Sequence, residues 1–459
     1  MKKVLLLATC LMCIFQTHAQ SASQDITSEM IAEFHKNVLN GTDTAIRNAL
    51  ADNAINSLAM DASNRAMSDT HFTYTVKTSG ITNQRSSGRC WLFSGLNVLR
   101  AQMNEKYGLS NFEFSEVYLS FHDLLEKGNL FLQSIIDTRN LPLSDRKVDW
   151  LLRHPIGDGG QFTGVADLIK KYGVVPKECM AETYHSENTR QMQSILTLKL
   201  RGYAMELRKI KNEKEALIAK KQCLGEFYRI LTLCLGIPPT EFTWAMYNKK
   251  GEKLSEQKYT PQSFYEKYFG RDLMQEIILI MNDPSREFNK LYEVDQSRHI
   301  YEGNNWVYLN LDIDTIRKIA VESIKDNTPL YFSCDVGKFI NRKKGTLDLK
   351  NFDYESLFAT QFPMGKAERI QSYASGSSHA MMLMGVDIDQ SGTIKKWKIE
   401  NSWGKTSGYN GYLIMTDDWF GEYMFRLVAN KKYVPEEVLK LLRQKPIRLP
   451  AWDPLYCED

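Results

Sequence analysis

Hydrophobic positions recur at helical spacing through the first two thirds of the chain. Residues 90–107 carry apolar side chains every three or four positions, which predicts an amphipathic helix, and 164–172 repeat this pattern over a shorter length. Residues 24–65 are polar with a narrow apolar stripe, which also predicts helices. A proline-free stretch, 186–235, and a second block, 261–290, complete the predicted helical regions.

The last third of the chain has a different pattern, which is typical of strands. Short apolar or alternating runs cover 380–386, 396–400 and 412–416, and Gly, Asp or Ser residues bound them. Helices early in the chain and strands late in it predict an α+β fold with an all-helical insertion in the middle.

The composition is that of a folded and nearly neutral protein. The 459 residues are 43% hydrophobic and 11% aromatic, enough to fill a sizeable core in one large domain or a few ordinary ones. The 58 basic and 55 acidic residues give a net charge of +3, which argues against a dominant interaction with nucleic acid. No nucleic-acid partner is therefore expected.

The first nineteen residues follow the pattern of a secretory signal peptide. Lys2 and Lys3 precede an apolar run, 4–15, and small residues then lead to a cleavage position after Ala19. The run is too short to span a membrane, and no later segment is long and apolar enough to do so. We expect an exported protein, periplasmic or extracellular, that is not embedded in a membrane. Lipid attachment at Cys10 is the second interpretation.

Cysteine placement gives the first candidate for chemistry. Removal of the signal peptide leaves six cysteines, too few for a disulfide scaffold and without the spacing of a zinc site. One of them, Cys90, stands at the start of a predicted helix, after Gly88 and beside Arg89. A helix amino terminus favours the thiolate, which is the nucleophilic form. The alternative interpretation is a buried, unreactive cysteine at a helix start.

A thiol nucleophile also needs a proton partner that is held in one orientation. His379 lies immediately before the apolar run 381–386, at the mouth of a predicted strand. Asn401 follows the alternating run 397–400, again at a strand end. An amide oxygen at that position can accept the imidazole N–H and fix its tautomer. Taken alone, each residue could equally be a polar cap on a strand.

Three segments together resemble the motifs of papain-like cysteine peptidases. Residues 83–91, Asn-Gln-Arg-Ser-Ser-Gly-Arg-Cys-Trp, have a glutamine six positions before the cysteine and an aromatic residue directly after it. His379-Ala380 and then Asn401-Ser402-Trp403-Gly404 follow in the family's order. The combination implies a papain-like fold, in which a helical half faces an antiparallel, barrel-like β half.

The resemblance implies a role for each matching residue. Cys90 would be the nucleophile, His379 the general base and then acid, and Asn401 the residue that orients the histidine. The Gln84 side chain, together with the Cys90 backbone N–H, would form the oxyanion hole.

Two further matches concern the surroundings of these groups. Trp403 would cover the contact between asparagine and histidine and keep water away from it. Gly159 and Gly160 match the glycine pair along which an extended peptide lies, although an ordinary turn is the alternative interpretation.

Five more segments extend the resemblance to the bleomycin hydrolase and aminopeptidase C family, subfamily C1B, over nearly the whole mature chain. They are 172–177, 236–239 with the nearby 242–244, 334–338, 415–420 and 449–454. The expected organisation is a signal peptide (1–19), an N-terminal extension (20–70), a helical part with the nucleophile (71–185), a helical insertion (186–290), a β part with the histidine and asparagine (291–435) and a C-terminal arm that enters the cleft (436–459).

The resemblance also implies what the chain does. The family removes amino-terminal residues from peptides by acyl transfer through the cysteine, with no metal or organic cofactor, in a hexameric ring with inward-facing active sites. In that family the chain end runs into the cleft, so the carboxylate of Asp459 would meet the substrate's amino terminus. Peptide substrates and a homo-hexamer assembled through 186–290 are therefore expected.

Three alternatives stay open. The ending Cys457-Glu458-Asp459 is more acidic than the small apolar ending usual in the family, so it could be a solvated tail. A displaced or trimmed tail would make the enzyme a broad endopeptidase. A chain with this fold but no catalysis would be a peptide-binding scaffold, which the intact set of motif residues argues against.

Overall fold

The structure is a computed structural model of the chain and describes residues 24–37, 41–66, 69–78, 80–109, 112–270 and 272–456. The expected signal peptide, 1–19, lies outside the described residues and stays a prediction. The same holds for Cys457, Glu458 and the predicted substrate-binding residue Asp459. The described residues between 24 and 60, together with Tyr354–Thr360, form one compact unit, and the other described residues form a second.

Helices dominate the first half of the described chain, as the hydrophobic pattern predicts. They are α1 (Ser28–Asn37), α2 (Gly41–Asp52), α3 (Ile55–Ala59), α4 (Cys90–Tyr107), α5 (Glu116–Asp137), α6 (Arg146–Arg153), α7 (Phe162–Tyr172), α8 (Tyr184–Glu187), α9 (Arg190–Leu207), α10 (Glu213–Leu235), α11 (Pro261–Tyr268), α12 (Leu273–Glu276), α13 (Ile313–Lys325), α14 (Tyr354–Phe358), α15 (Lys366–Gln371), α16 (Asp417–Tyr423) and α17 (Glu436–Lys440).

Strands are concentrated in the second half. They are β1 (Tyr74–Thr75), β2 (Phe242–Tyr247), β3 (Lys253–Tyr259), β4 (Ile277–Met281), β5 (Lys290–Val294), β6 (Val307–Asn310), β7 (Leu330–Cys334), β8 (Ile340–Asn341), β9 (Thr346–Leu347), β10 (His379–Ile388), β11 (Ile394–Glu400), β12 (Tyr412–Thr416), β13 (Met424–Asn430) and β14 (Ile447–Leu449).

Twelve of these strands form one mixed sheet, in the order β14-β5-β6-β4-β13-β7-β10-β11-β12-β9-β8, with β1 added alongside β10. The strands β7, β10, β11 and β12 pair antiparallel, and His379 lies opposite Cys334 in this register. The pairing places the first residue of β10 and the residue after β11 near each other at one end of the sheet. Strands β2 and β3 form a separate hairpin.

Two hydrophobic clusters occupy the larger unit. One is built from α4, α5, α7, α9 and α10 and includes Leu96, Phe121 and Phe227. The other lies around the central strands and α13 and includes Phe332, Leu383 and Trp397. The helical half and the β half therefore each have a core, which agrees with the α+β, papain-like fold expected from the motifs.

The second predicted helical block, 261–290, is wrong for much of its length. Only α11 and the single turn of α12 are helical there, and β4 then runs through the interior of the large sheet. The run Ile277–Met281 is apolar throughout, so its spacing cannot distinguish a buried strand from a buried helix. The insertion 186–290 also contains the β2–β3 hairpin, which the sequence analysis did not anticipate.

Among the described residues, no helix is both long enough and apolar enough to cross a lipid bilayer.

Candidate active site

Cys90 is the first residue of α4 and is partly buried. The turn before it is held by Gly88, whose backbone N–H donates to Asp158 Oδ2 at 2.7 Å. A Cβ at Gly88 would lie 2.3 Å from Asp158 Oδ1, so a larger residue would displace the carboxylate that accepts the Gly88 N–H. The free N–H groups and partial positive charge of a helix start lie beside the sulfur, and they favour the thiolate.

His379 and Asn401 are brought together by the pairing of β10 with β11. Both are buried, and His379 Nε2 lies 2.9 Å from Asn401 Oδ1. Asn401 Oδ1 also accepts the Ser402 backbone N–H at 2.8 Å, which fixes the orientation of the amide. Since that oxygen can only accept, His379 must donate from Nε2, and its Nδ1 is the nitrogen that can take a proton.

Burial, a hydrogen bond and a nearby charge all act on the pKa of the His379 imidazole. Burial lowers its pKa to about 4, and the Asn401 hydrogen bond acts in the opposite direction. The positive charge of Arg342 adds to the lowering. A neutral imidazole in this position is ready to act as a base, and an imidazolium formed there would be stabilised by an adjacent thiolate.

Trp403 covers this pair from one side. Its ring lies 4.9 Å from the His379 ring, with an angle of 34° between the two planes. The segment around it pairs with residues before the nucleophile: Trp403 bridges to Asn83, and Gly404 N–H donates to Thr82 O. This short pairing fixes the β half of the site to the loop that leads to Cys90.

Gln84 belongs to the same short pairing and is buried. Its backbone N–H donates to Ser402 O at 2.8 Å, and its side-chain Oε1 accepts from Ser402 Oγ at 2.6 Å. Its Nε2 donates one hydrogen to Ser87 O at 2.6 Å. An amide nitrogen carries two hydrogens, so the second can reach a ligand beside Cys90.

The predicted glycine pair forms one wall of the site. Lys127 Nζ donates to Gly159 O at 2.5 Å, which fixes this carbonyl. A Cβ at Gly160 would lie 2.3 Å from His299 Cε1 and 2.7 Å from Trp91 Cε2. The close approach of these two buried rings requires a glycine at 160, and the peptide-binding role of the pair stays a prediction.

These residues line one cavity of about 950 Å³. Gln84, Cys90 and His379 share it with Gly159 and Gly160. The C-terminal segment lines the same cavity with Ala451, Pro454, Leu455 and Tyr456. The structure thus brings together the predicted nucleophile, histidine, glutamine and glycine pair, with Asn401 and Trp403 behind the histidine.

The C-terminal segment is firmly seated as far as Tyr456. Buried Arg426 donates from Nη2 to Leu455 O at 3.1 Å, and its guanidinium lies 4.5 Å from the centre of the Tyr456 ring. Asp453 pairs with Arg286 and accepts the Leu455 N–H at 3.2 Å. The segment from Asp453 to Tyr456 is therefore held by two arginines.

Sequence reasoning missed the residues that support the site from distant parts of the chain. They are Asp158, Lys127, His299, Arg286 and Arg426. His299 is buried, lies 2.6 Å from Asp123 Oδ1 through its Nδ1 and packs 4.8 Å from the Trp91 ring. No local pattern points to such contacts, because they depend on tertiary structure. Within the described residues, no group of three or more His, Cys, Asp or Glu is placed to hold a metal ion.

A buried acid lies behind the nucleophile loop. Burial raises the pKa of Glu116 to about 8, and the nearby charge of Glu182 acts in the same direction. Glu182 itself pairs with buried Arg89 at 2.9 Å, directly before Cys90. Glu116 is therefore protonated in the folded protein at neutral pH.

This proton makes stability fall as the pH rises. Between the ordinary Glu pKa of 4.5 and about 8, unfolded chains release the Glu116 proton and folded chains keep it. Glu116→Gln is expected to remove this loss. The change that the substitution makes to the free energy of unfolding is expected to be about 3 kcal/mol more stabilising at pH 7.5 than at pH 4.5. Urea unfolding of both proteins at the two pH values measures it. Glu215→Gln, at an exposed position in α10, is the control, and an equal pH dependence in all three proteins would contradict the prediction.

Comparison with known proteins supports the motifs over their full extent. The sequence matches the Peptidase C1-like family over residues 25–456. It is 41% identical to bleomycin hydrolase of Homo sapiens over 387 residues, which cover 82% of this chain and 85% of that protein. It is 37% identical to aminopeptidase C of Listeria monocytogenes over 435 residues, covering 94% of this chain and 98% of that protein.

A solved structure matches both halves of the cleft. The crystal structure of PepW from Lactobacillus rhamnosis aligns with a TM-score of 0.90 at 35% identity, and the alignment covers 94% of this chain and 99% of that one.

Proposed function

This chain belongs to the Peptidase C1-like family and is a cysteine aminopeptidase, and from this premise we propose that it releases residues one at a time from the amino terminus of peptides. The observation that supports this most is the cavity itself. The C-terminal segment up to Tyr456 lines the same cavity as Cys90 and His379, so it occupies room that an endopeptidase needs for substrate residues upstream of the cut.

The reaction is an acyl transfer through Cys90. Cys90 gives its proton to His379 Nδ1, and the resulting thiolate attacks the carbonyl of the first residue. The oxyanion is stabilised by the second Nε2–H of Gln84 and by the Cys90 backbone N–H. His379, held by Asn401, protonates the departing amine and the acyl-thioester forms. His379 then takes a proton from water, which attacks the thioester and frees the amino acid together with Cys90.

The chain end supplies the selection for a free amino terminus. Beyond Tyr456 the sequence continues with three residues that end in Asp459, whose carboxylates are suited to pair with the α-ammonium group of a substrate. An extended stretch of three residues reaches roughly 10 Å. A substrate with an acetylated amino terminus lacks the charge and has nowhere to place residues upstream of the cut.

Deletion of residues 455–459 tests this selection and leaves the pair between Asp453 and Arg286 in place. The full-length enzyme is expected to release single residues from a free peptide and to leave its N-acetylated form intact. The truncated enzyme is expected to cut the acetylated peptide internally, because Leu455 and Tyr456, which line the cavity beside Cys90, are gone together with the last three residues. Mass spectrometry of the products distinguishes these patterns.

A matched control keeps the chain length and removes only charge. Glu458→Gln is expected to retain the exopeptidase pattern, because length and the terminal carboxylate are unchanged. Internal cleavage of the acetylated peptide by the full-length enzyme would overturn the proposal in favour of the broad endopeptidase.

We further propose that the chain assembles as a homo-hexamer, and an exposed apolar surface on the helical insertion supports it. Leu198 on α9 is 73% exposed and Leu233 on α10 is 70% exposed. Tyr184, Ile195 and Leu198 line a shallow cavity of about 470 Å³ on this surface. Apolar patches of this kind commonly mark a contact between proteins.

Light scattering after size-exclusion chromatography tests the assembly. The full-length chain is expected to elute at six times its own mass, and Leu198→Asp is expected to shift it to smaller species. Leu254→Asp on β3, at another exposed leucine, serves as the control and should leave the mass unchanged. A monomer in the unsubstituted protein would contradict the hexamer and leave the proposed peptidase reaction untouched.

A further inference from the structure

A basic turn lies behind the catalytic histidine and takes no part in the reaction described so far. Arg342 and Lys343 connect β8 to β9 and are both exposed. The turn is rigidly held, because Gly345 N–H donates to Asn341 O and a Cβ at Gly345 would lie 2.6 Å from Tyr409 N. The positive charges of this turn therefore have a fixed position relative to the loop that follows Trp403.

Arg342 is the member of this turn that reaches the active site. Its guanidinium carbon lies 4.9 Å from the centre of the Trp403 ring, which in turn lies 4.9 Å from the His379 ring. Its charge contributes to the lowered pKa of His379, after the larger effect of burial. Within the described part of the chain, no carboxylate lies within 4 Å of Arg342 or Lys343. A guanidinium stacked on an indole keeps its N–H edge free for an anion.

The position of Arg342 assigns it to one side of the scissile bond. The C-terminal segment lies in the cavity beside Cys90, and neither Trp403 nor Arg342 lines that cavity. His379 must reach the departing amine, so the substrate beyond the cut lies along the histidine. Trp403 packs on that histidine and Arg342 lies against Trp403, so the guanidinium is on the histidine side of the cut.

We propose that Arg342 binds a carboxylate on the substrate residue that follows the scissile bond. The inference rests on the proposed aminopeptidase reaction and adds a substrate class to it. The carboxylate has two sources: the side chain of Asp or Glu at the second position of a peptide, or the terminal carboxylate of a dipeptide. Both present the planar anion that a guanidinium binds through two parallel hydrogen bonds.

Four short substrates separate the two sources. Ala-Asp-amide against Ala-Asn-amide tests a side-chain carboxylate, and Ala-Ala against Ala-Ala-amide tests a terminal one. In at least one pair, kcat/KM for the substrate with the carboxylate is expected to be about tenfold higher than for its amide partner, as one charge-assisted contact allows. Arg342→Gln is expected to bring that ratio close to one, and the ratio is the readout because both members of a pair depend on the same His379.

Two matched variants distinguish a direct contact between Arg342 and the substrate from a general effect of positive charge on this turn. Lys343→Gln removes the same charge from the same turn without touching Trp403, and it is expected to keep the preference. Arg342→Lys keeps the positive charge but lacks the planar guanidinium, and it should retain part of the preference for the carboxylate.

Three results would overturn the inference. One is an active enzyme with no preference in either pair, and another is an equal loss in Arg342→Gln and Lys343→Gln. In both cases cleavage of the amides shows that the proposed function still stands. If none of the four substrates is cleaved, the proposed function fails and the inference fails with it.

Discussion

Replacing Cys90 with alanine is expected to lower peptide turnover by about 10⁵-fold or more, because no other group at the start of α4 can form the acyl intermediate. The fold should survive, since the loss of one partly buried sulfur costs on the order of 1 kcal/mol. Release of amino acids from a free peptide, followed by mass spectrometry, measures the activity. Circular dichroism and thermal unfolding check the fold.

Cys179→Ala is the control for this variant. Cys179 is also a free, partly buried cysteine, and burial raises the pKa of its thiol to about 11, so it is poorly suited to react. Alkylation by iodoacetamide at pH 6 should label Cys90 and spare Cys179. Substantial turnover in Cys90→Ala would remove the nucleophile assignment, and an unsubstituted enzyme without amidase activity would favour the peptide-binding scaffold.

Glu400→Gln is expected to lower the free energy of unfolding by about 3 kcal/mol. Glu400 and Arg100 are both buried, and Arg100 Nη2 lies 3.0 Å from Glu400 Oε1. The pair joins α4, which carries Cys90, to the end of β11, directly before Asn401. Removing the carboxylate leaves a buried guanidinium without its close counter-charge. Urea denaturation at pH 7 measures the change.

The double variant Arg100→Met/Glu400→Met separates this cause from simple loss of packing. Two apolar side chains of similar length leave no uncompensated charge, so the double variant is expected to be more stable than the single one. Burial raises the pKa of Glu400, while Arg100 opposes the rise. A loss below about 1 kcal/mol in Glu400→Gln would mean that the carboxyl is already protonated in the folded chain.

The elements that sequence reasoning predicted well are those with a long or strongly bounded pattern. The helix expected over 90–107 is α4, and the runs at 380–386, 396–400 and 412–416 lie within β10, β11 and β12. The short apolar run at 277–281 was predicted as helix, because five buried residues have no period that separates the two structures. The β2 strand alternates buried and less buried positions. It lies within 186–290, for which the long helical patterns on either side predict a helical insertion.

The candidate site divides in the same way. Gln84, Cys90, His379 and Asn401 lie in compact motifs, so their neighbourhood could be predicted from local sequence. Their supports could not be, because each belongs to a pairing between distant segments. Lys127, which donates to Gly159, is one example, and Arg426, which holds Leu455, is another. Nothing in the sequence around these two basic residues distinguishes them from surface lysines and arginines.

The seat of the C-terminal segment has a consequence for how selectivity responds to conditions. Because the segment that fills the cleft is part of the same chain, its effective concentration at the site is fixed by geometry and does not fall on dilution. A separate inhibitor would dissociate as the enzyme is diluted, whereas a tethered segment held by Arg286 and Arg426 stays in place at any enzyme concentration. Only agents that weaken those contacts, such as moderate urea, would release it while the cores remain folded.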